Sequence, residues 1–536
     1  MNPVPGLLDN GRKQQLAVVF VLVCAEGFAA GAAALATRGL FNALHSKAGL
    51  PTGLMALLAV SGLMVALCRV FARTSGEQMG QVYGLEIRKA LFSQATFMAV
   101  SDVSSRRAGY MSLRFVGDLT AFRNWLGLGL PRLMAAFVLI PVALFVLGWM
   151  YLPFLWAIAP LYLGALLVIG IGGARLPEYQ RRVRSRRAAI AADMTERMPI
   201  APDLGHLGRR SSELRRIVSR TERMVLESVN RVHYAEWLKS VPDVISGVAA
   251  LGVIWIGSSH DISTGTVAGG LSALVIALKP MRDLAGVWNH WSAFRTAHLK
   301  LIEALRRPTR RAGSGGKRLR EGRPLSVRCE ELNLSPLSNL SGSIRAGSRV
   351  LIKGGNGTGK SRLLRALSGL EKPESGNIKL DGKDIQQLSQ GSLRRSVWRI
   401  SDDVSILGAS FRKNLTMGLD VRPSDSEIDD MVANVGLSRR LAVKGGLDGR
   451  SAEGGRDLSA GERVKIVLAR AMFAHPGLVL IDSCVNQLDE RGKQALINWL
   501  DDLQATVVVV EQANLPTIAY NSVLDLNEAA GTKSQT

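Results

Sequence analysis

The run LVLIDSCVNQLD, residues 478–489, carries Asp482 at the end of an aliphatic stretch and closes a short polar turn on Asp489. A carboxylate at a strand end is a hard oxygen ligand of the kind Mg²⁺ prefers. Upstream, Gly354, Gly355, Asn356, Gly357, Thr358, Gly359, Lys360 and Ser361 follow the spacing G-x-x-x-x-G-K-S between a β-branched strand and an amphipathic helix. In that context the glycines let backbone N–H groups curl around phosphate oxygens. Lys360 reaches the terminal phosphates, Ser361 offers a hydroxyl to Mg²⁺, and the helix that continues through Arg362 turns its positive end to the anion. A third stretch, LSAGE, opens another helix. Ser459, Ala460, Gly461 and Glu462 there are either a phosphate-holding helix start or an ordinary cap. Its place ahead of a helix, a proline and the 478–482 strand favours the first.

The chain that must position these groups has 536 residues, too many for one ordinary domain, and its composition changes along its length. Six stretches, near 16–38, 53–73, 133–151, 153–175, 240–258 and 264–287, meet or approach the roughly 20 apolar residues that cross a bilayer. Short links follow the first, third and fifth, and long basic helical stretches follow the second and fourth. With Arg12 and Lys13 inside, the positive-inside rule places those stretches in the cytoplasm. The net charge of +23 is read as membrane topology beside anionic lipid, and no nucleic-acid partner is expected. The N-terminus reads as a cytoplasmic lead-in without a cleavage site. Cys24, Cys68, Cys329 and Cys484 have no metal-ligand spacing and read as ordinary thiols. The stretches 104–127 and 194–210 interrupt a helical pattern with Gly or Pro; they are either contact points for another domain or amphipathic loops. A Gly, Arg and Pro-rich connector then divides a membrane domain, 1–305, from a linker, 306–324, and a soluble α/β domain, 325–536.

In this order the motifs resemble an ATP-binding cassette (ABC) transporter of the exporter-type half-transporter class. The resemblance implies an α-helical membrane domain of about six transmembrane helices with long cytoplasmic extensions, fused to an α/β P-loop cassette. It also implies ATP and Mg²⁺ as ligands, with Ser361 and Asp482 on the metal. Two such chains would pair, each ATP lying between the Walker A loop of one and the LSAGE signature of the other. Gly109 and Asp118 match the family's first intracellular loop, which implies that this loop couples the cassettes to the spans. A multi-pass inner (plasma) membrane protein with its cassette in the cytoplasm follows, with lipid, a second half-transporter and an unidentified cargo as partners.

Four positions depart from the family pattern. Pro336 stands where an aromatic ring stacks on adenine, and Asp402 where a glutamine touches Mg²⁺ and water. Ser483 replaces the general-base glutamate after Asp482, and Gln512 the histidine that contacts the γ-phosphate. A serine hydroxyl is a very poor base near neutral pH. The expectation is an ATP-holding, poorly hydrolysing site that completes a competent partner chain. A slow homodimer and a non-transporting regulatory protein remain the other readings. Within the spans, Glu26, Asp243, Lys279, Arg282 and Asp283 are candidates for the cargo path, since intramembrane charge is costly. The charges around Pro280 read equally as the watered end of a long helix. Trp288, His290 and Trp291 fit an interfacial belt.

Overall fold

The structure, a computed structural model, describes residues 4–47, 49–98, 119–306, 316–511 and 518–527. Gln512, Gly109 and Asp118 lie outside the described residues. The chain forms two compact units, one holding the long apolar helices and the other the sheets that begin beyond residue 316.

Among the described residues six helices are long and apolar enough to cross a membrane: Arg12–His45, Thr52–Thr96, Leu119–Met150, Leu152–His206, Arg210–Ser259 and Thr264–Leu305. Each contains one of the stretches found in the sequence. Most outrun a bilayer; the second has 45 residues where roughly 20 suffice. The surplus is polar, as in the arginine-rich segment Leu176–Arg197. Side chains sort by surroundings: Ala143, Leu147, Phe154, Val253 and Ala273 form a buried core, while Phe137, Phe145, Trp149, Trp156 and Trp255 point outward. Large exposed rings on the apolar helices are what a lipid environment accepts and water does not.

The second and third spans meet closely. A Cβ on Gly76 would lie 3.0 Å from the Gly127 carbonyl oxygen, and one on Gly80 2.7 Å from that of Arg123. Glycine at both places removes that obstruction. The third span contains a π-turn, Trp125–Gly129, between two α-helical segments. Such a turn disturbs the i→i−4 ladder. Arg73 donates to the Gly127 oxygen at 2.6 Å, supplying a partner at the disturbed place. The sixth span runs through Pro280 without a break, and Arg282 pairs with Asp243 of the fifth.

The second unit has two sheets. β1 (Val327–Leu334), β2 (Leu337–Ile344), β4 (Ser375–Leu380) and β5 (Lys383–Asp384) are antiparallel in the order β2-β1-β4-β5. β3 (Arg349–Lys353), β6 (Val397–Ile400), β7 (Leu478–Ile481), β8 (Thr506–Val510) and β9 (Ser522–Asp525) are parallel in the order β6-β7-β8-β3-β9. Every residue of β7 and β8 is buried. Leu478 and Leu480 join one apolar cluster while Val479 and Ile481 join another. A strand covered on both faces reads as an unbroken aliphatic run, which is why 478–481 shows no alternation. Functional groups then gather beyond the carboxyl ends of β3 and β7.

Candidate nucleotide site

β3 ends at Lys353, and the loop beyond it turns on glycines at φ values of 152° (Gly354), 83° (Gly357) and 95° (Gly359). Side-chain-bearing residues rarely take such angles. Gly359 also faces Pro336 and Leu337 at 3.2 Å from where a Cβ would be. Lys360, 6% exposed, begins the helix Lys360–Leu367. Its ammonium donates to the carbonyls of Gly354 and Gly355, both at 2.6 Å, and so lies inside the loop.

Asp482, 5% exposed, leaves β7 and accepts from the Ser361 hydroxyl at 3.1 Å and from the Ser483 N–H at 2.9 Å. Ser361 and Asp482 are 121 residues apart in sequence, and the parallel sheet brings their oxygens into contact. Two adjacent hard oxygens beside a loop of turned-in backbone are a donor set that fits Mg²⁺ and phosphate together. Ser483 is exposed and opens a single-turn 3₁₀ helix, Ser483–Gln487. Burial, then Asp482 and Asp402, push the neighbouring Cys484 thiol up to about 12, so it stays protonated and inert.

Asp402 is exposed just beyond β6, with no hydrogen bond or ion pair among the described residues. Its neighbour Asp403 behaves differently. Asp403 meets Arg399 at 2.7 Å, Arg365 at 3.1 Å and the Ser401 hydroxyl at 2.7 Å. Burial alone would raise this carboxyl, but those three groups outweigh it and hold it below the usual carboxylate range. The sequence did not separate these two aspartates; Arg399 and Arg365 do.

Arg362 turns to the Ser335 carbonyl, Glu371 at 3.3 Å and Glu374 at 3.5 Å. Its guanidinium thus ties the Lys360–Leu367 helix to the segment beside Pro336. Pro336 itself is exposed.

The signature forms a second cluster. Ser459 caps the helix Ala460–Ala474, accepting from the Glu462 N–H at 3.2 Å while the Glu462 carboxylate accepts from the Ser459 N–H at 2.7 Å. A Cβ on Gly461 would lie 2.4 Å from the Gln487 carbonyl oxygen. Lys465 meets Asp489 at 2.7 Å, and Asp489 caps the helix Glu490–Asp502 through the Gly492 N–H at 2.9 Å. These residues edge an open cleft of about 720 Å³. The signature and the phosphate loop are linked through 482–489, which grips Ser361 at its start and the signature helix at its end.

Two family models match this chain: one described as the ABC transporter transmembrane region over residues 16–277, and one as ABC transporter over 337–486. An uncharacterized ABC transporter ATP-binding protein, YfiB of Bacillus subtilis, is 23% identical over 84% of this chain and 80% of its own. The ATP-dependent lipid A-core flippase of Photorhabdus laumondii is 24% identical over 84% of this chain and 78% of its own. The glutathione/L-cysteine transport system ATP-binding/permease protein CydD of Escherichia coli is 24% identical over 82% and 78%. The solved structure of a bacterial Atm1-family ABC exporter with ATP bound superposes with a TM-score of 0.81 at 19% identity, covering 97% of this chain and 95% of that one. With six apolar helices, the parallel sheet and the phosphate loop in the same order as the matched models, this chain belongs to the ABC transporters, a multi-pass membrane protein of exporter-type fold with a fused ATP-binding cassette.

Proposed function

We propose that the chain is a half-transporter of the inner (plasma) membrane that moves its cargo outward and pairs with a second, different half-transporter. In this reading residues 1–305 form the membrane domain, 306–324 the linker and 325–536 the cytoplasmic cassette. MgATP is held by 354–361, with the metal on Ser361 and Asp482. Bound Mg²⁺ would offset phosphate charge and polarise the terminal phosphate. The observation that carries the proposal is the contact between Ser361 and Asp482, directly followed by an exposed Ser483. The groups that hold phosphate and metal are assembled, and the residue beside them cannot take a proton from water. Losing a positioned base costs roughly 10²–10⁴-fold in rate. The 459–462 cap then serves best as the cover of a partner's competent site. Asp402, an exposed carboxylate on the same edge, is available to Mg²⁺ in place of the family's glutamine.

The test is hydrolysis by the purified full chain, alone and with a co-purifying half-transporter. Negligible turnover alone and rapid turnover in the pair is expected. Rapid turnover by the homogeneous chain, insensitive to Lys360→Ala, overturns both the pairing and the site.

A further inference from the structure

A cavity of about 520 Å³ lies among the first, second, third and sixth spans, where six charged side chains face one space: Glu26, Arg69, Arg73, Arg132, Lys279 and Asp283. Their pairing is uneven. Glu26, buried, accepts from Arg69 at 2.7 Å, and Asp283 lies 3.7 Å from Arg132. Those two carboxylates offset two of the four cations. Arg73 donates to a carbonyl, which brings it no negative charge, and its nearest carboxylate is Glu77 at 3.8 Å, which Arg123 also approaches at 3.6 Å. Lys279 has no ion pair among the described residues. Two cations therefore face the cavity without a full counter-charge of their own. Charge inside a membrane domain is expensive unless it is compensated or serves a bound group. The remaining wall is aliphatic, with Val23 and Leu139 on it.

We infer that this cavity receives a cargo with a doubly charged anionic group, of the phosphate monoester type, joined to an apolar portion. The inference rests on the transporter reading and names its cargo class. Arg73 and Lys279 engage the anion, and the Glu26–Arg69 and Arg132–Asp283 pairs keep the space from collecting more positive charge than a dianion offsets. The aliphatic wall takes the apolar part. A neutral amphiphile of the same shape would leave both cations unpaired, and the site should reject it.

The experiment uses the full chain in phosphatidylcholine nanodiscs without nucleotide, so that a cassette unable to hydrolyse does not affect the result. Fluorescent phosphatidic acid is titrated beside the matching diacylglycerol. Phosphatidic acid should bind and weaken with salt, and diacylglycerol should not bind. The Arg73→Gln/Lys279→Gln double variant should lose about tenfold or more in affinity, the scale of removing two charge-assisted contacts. Lys279→Arg, which keeps the charge, should retain it. Competition by glycerol 3-phosphate assigns the anion to a soluble cargo; failure to compete assigns it to a lipid. Equal binding of diacylglycerol, or unchanged affinity in the double variant with unfolding temperature preserved, overturns the inference. MgATP binding measured in the same discs separates the outcomes, since loss of nucleotide binding would strike the transporter reading instead.

Discussion

Lys360 and Asp482, which the proposed reading assigns to holding the nucleotide, are 6% and 5% exposed. Ser483 and Asp402, where the sequence departs from the pattern it resembles, are both exposed. Under the proposed reading, the difference teaches how a cassette would change its chemistry without unfolding. Lys360 organises the loop by bonding Gly354 and Gly355, and Asp482 ties β7 to the helix after β3, so each also serves the fold. A side chain at position 483 projects from a 3₁₀ turn at the surface. Its replacement removes no buried contact.

The largest expected effect adds chemistry on the exposed side. Ser483→Glu combined with Gln512→His should raise hydrolysis of MgATP by the full chain by about 10²-fold or more, read as phosphate release. No gain would mean that the two sides differ by more than their side chains. Next, Lys360→Ala should weaken binding of a fluorescent ATP analogue by roughly 10–100-fold, the worth of hydrogen bonds to a charged group. Unchanged affinity would remove the buried side from the nucleotide site altogether.

Gly461→Ala probes the link between the two clusters. A methyl 2.4 Å from the Gln487 oxygen must displace the 482–489 segment or the signature helix. Overpacking of this kind costs about 1–3 kcal/mol, seen as a lower unfolding temperature of the cassette. An unchanged transition would show that the two clusters are not in firm contact. The smallest effect concerns pH. Asp403 is held below its unfolded value, so its contribution is present above about pH 4 and lost as pH falls through the folded value. Arg399→Met should flatten the acid side of the stability profile, and a profile as steep as the parent's would remove Asp403 as its source.

The spans were legible because a bilayer demands length and apolarity, which composition displays directly. The tight loop after β3 was legible because its glycines occupy angles that few other residues accept. Arg362 was harder: in sequence it only follows Ser361, and the fold alone brings buried Glu371 to meet it. The charges near Pro280 could be read as watered helix or as cargo path. The structure divides them, placing Lys279 and Asp283 on the cavity and Arg282 in a pair with Asp243. Nothing in the spacing of 125–129 announces a π-turn, since its added residue looks like any other in an apolar helix.

That turn sets the phase of the third span. Arg123, before it, approaches Glu77 of the second span at 3.6 Å, and Arg132, after it, approaches Asp283 of the sixth at 3.7 Å. An α-helix rotates about 100° per residue. If 125–129 wound as regular α-helix with the same sequence, the downstream portion would swing by about that angle, turning Arg132 from its acid while Arg123 stayed in place. One surplus residue thus lets a single rod address two neighbours along independent bearings, and an insertion or deletion elsewhere in the rod would have to be answered at this turn.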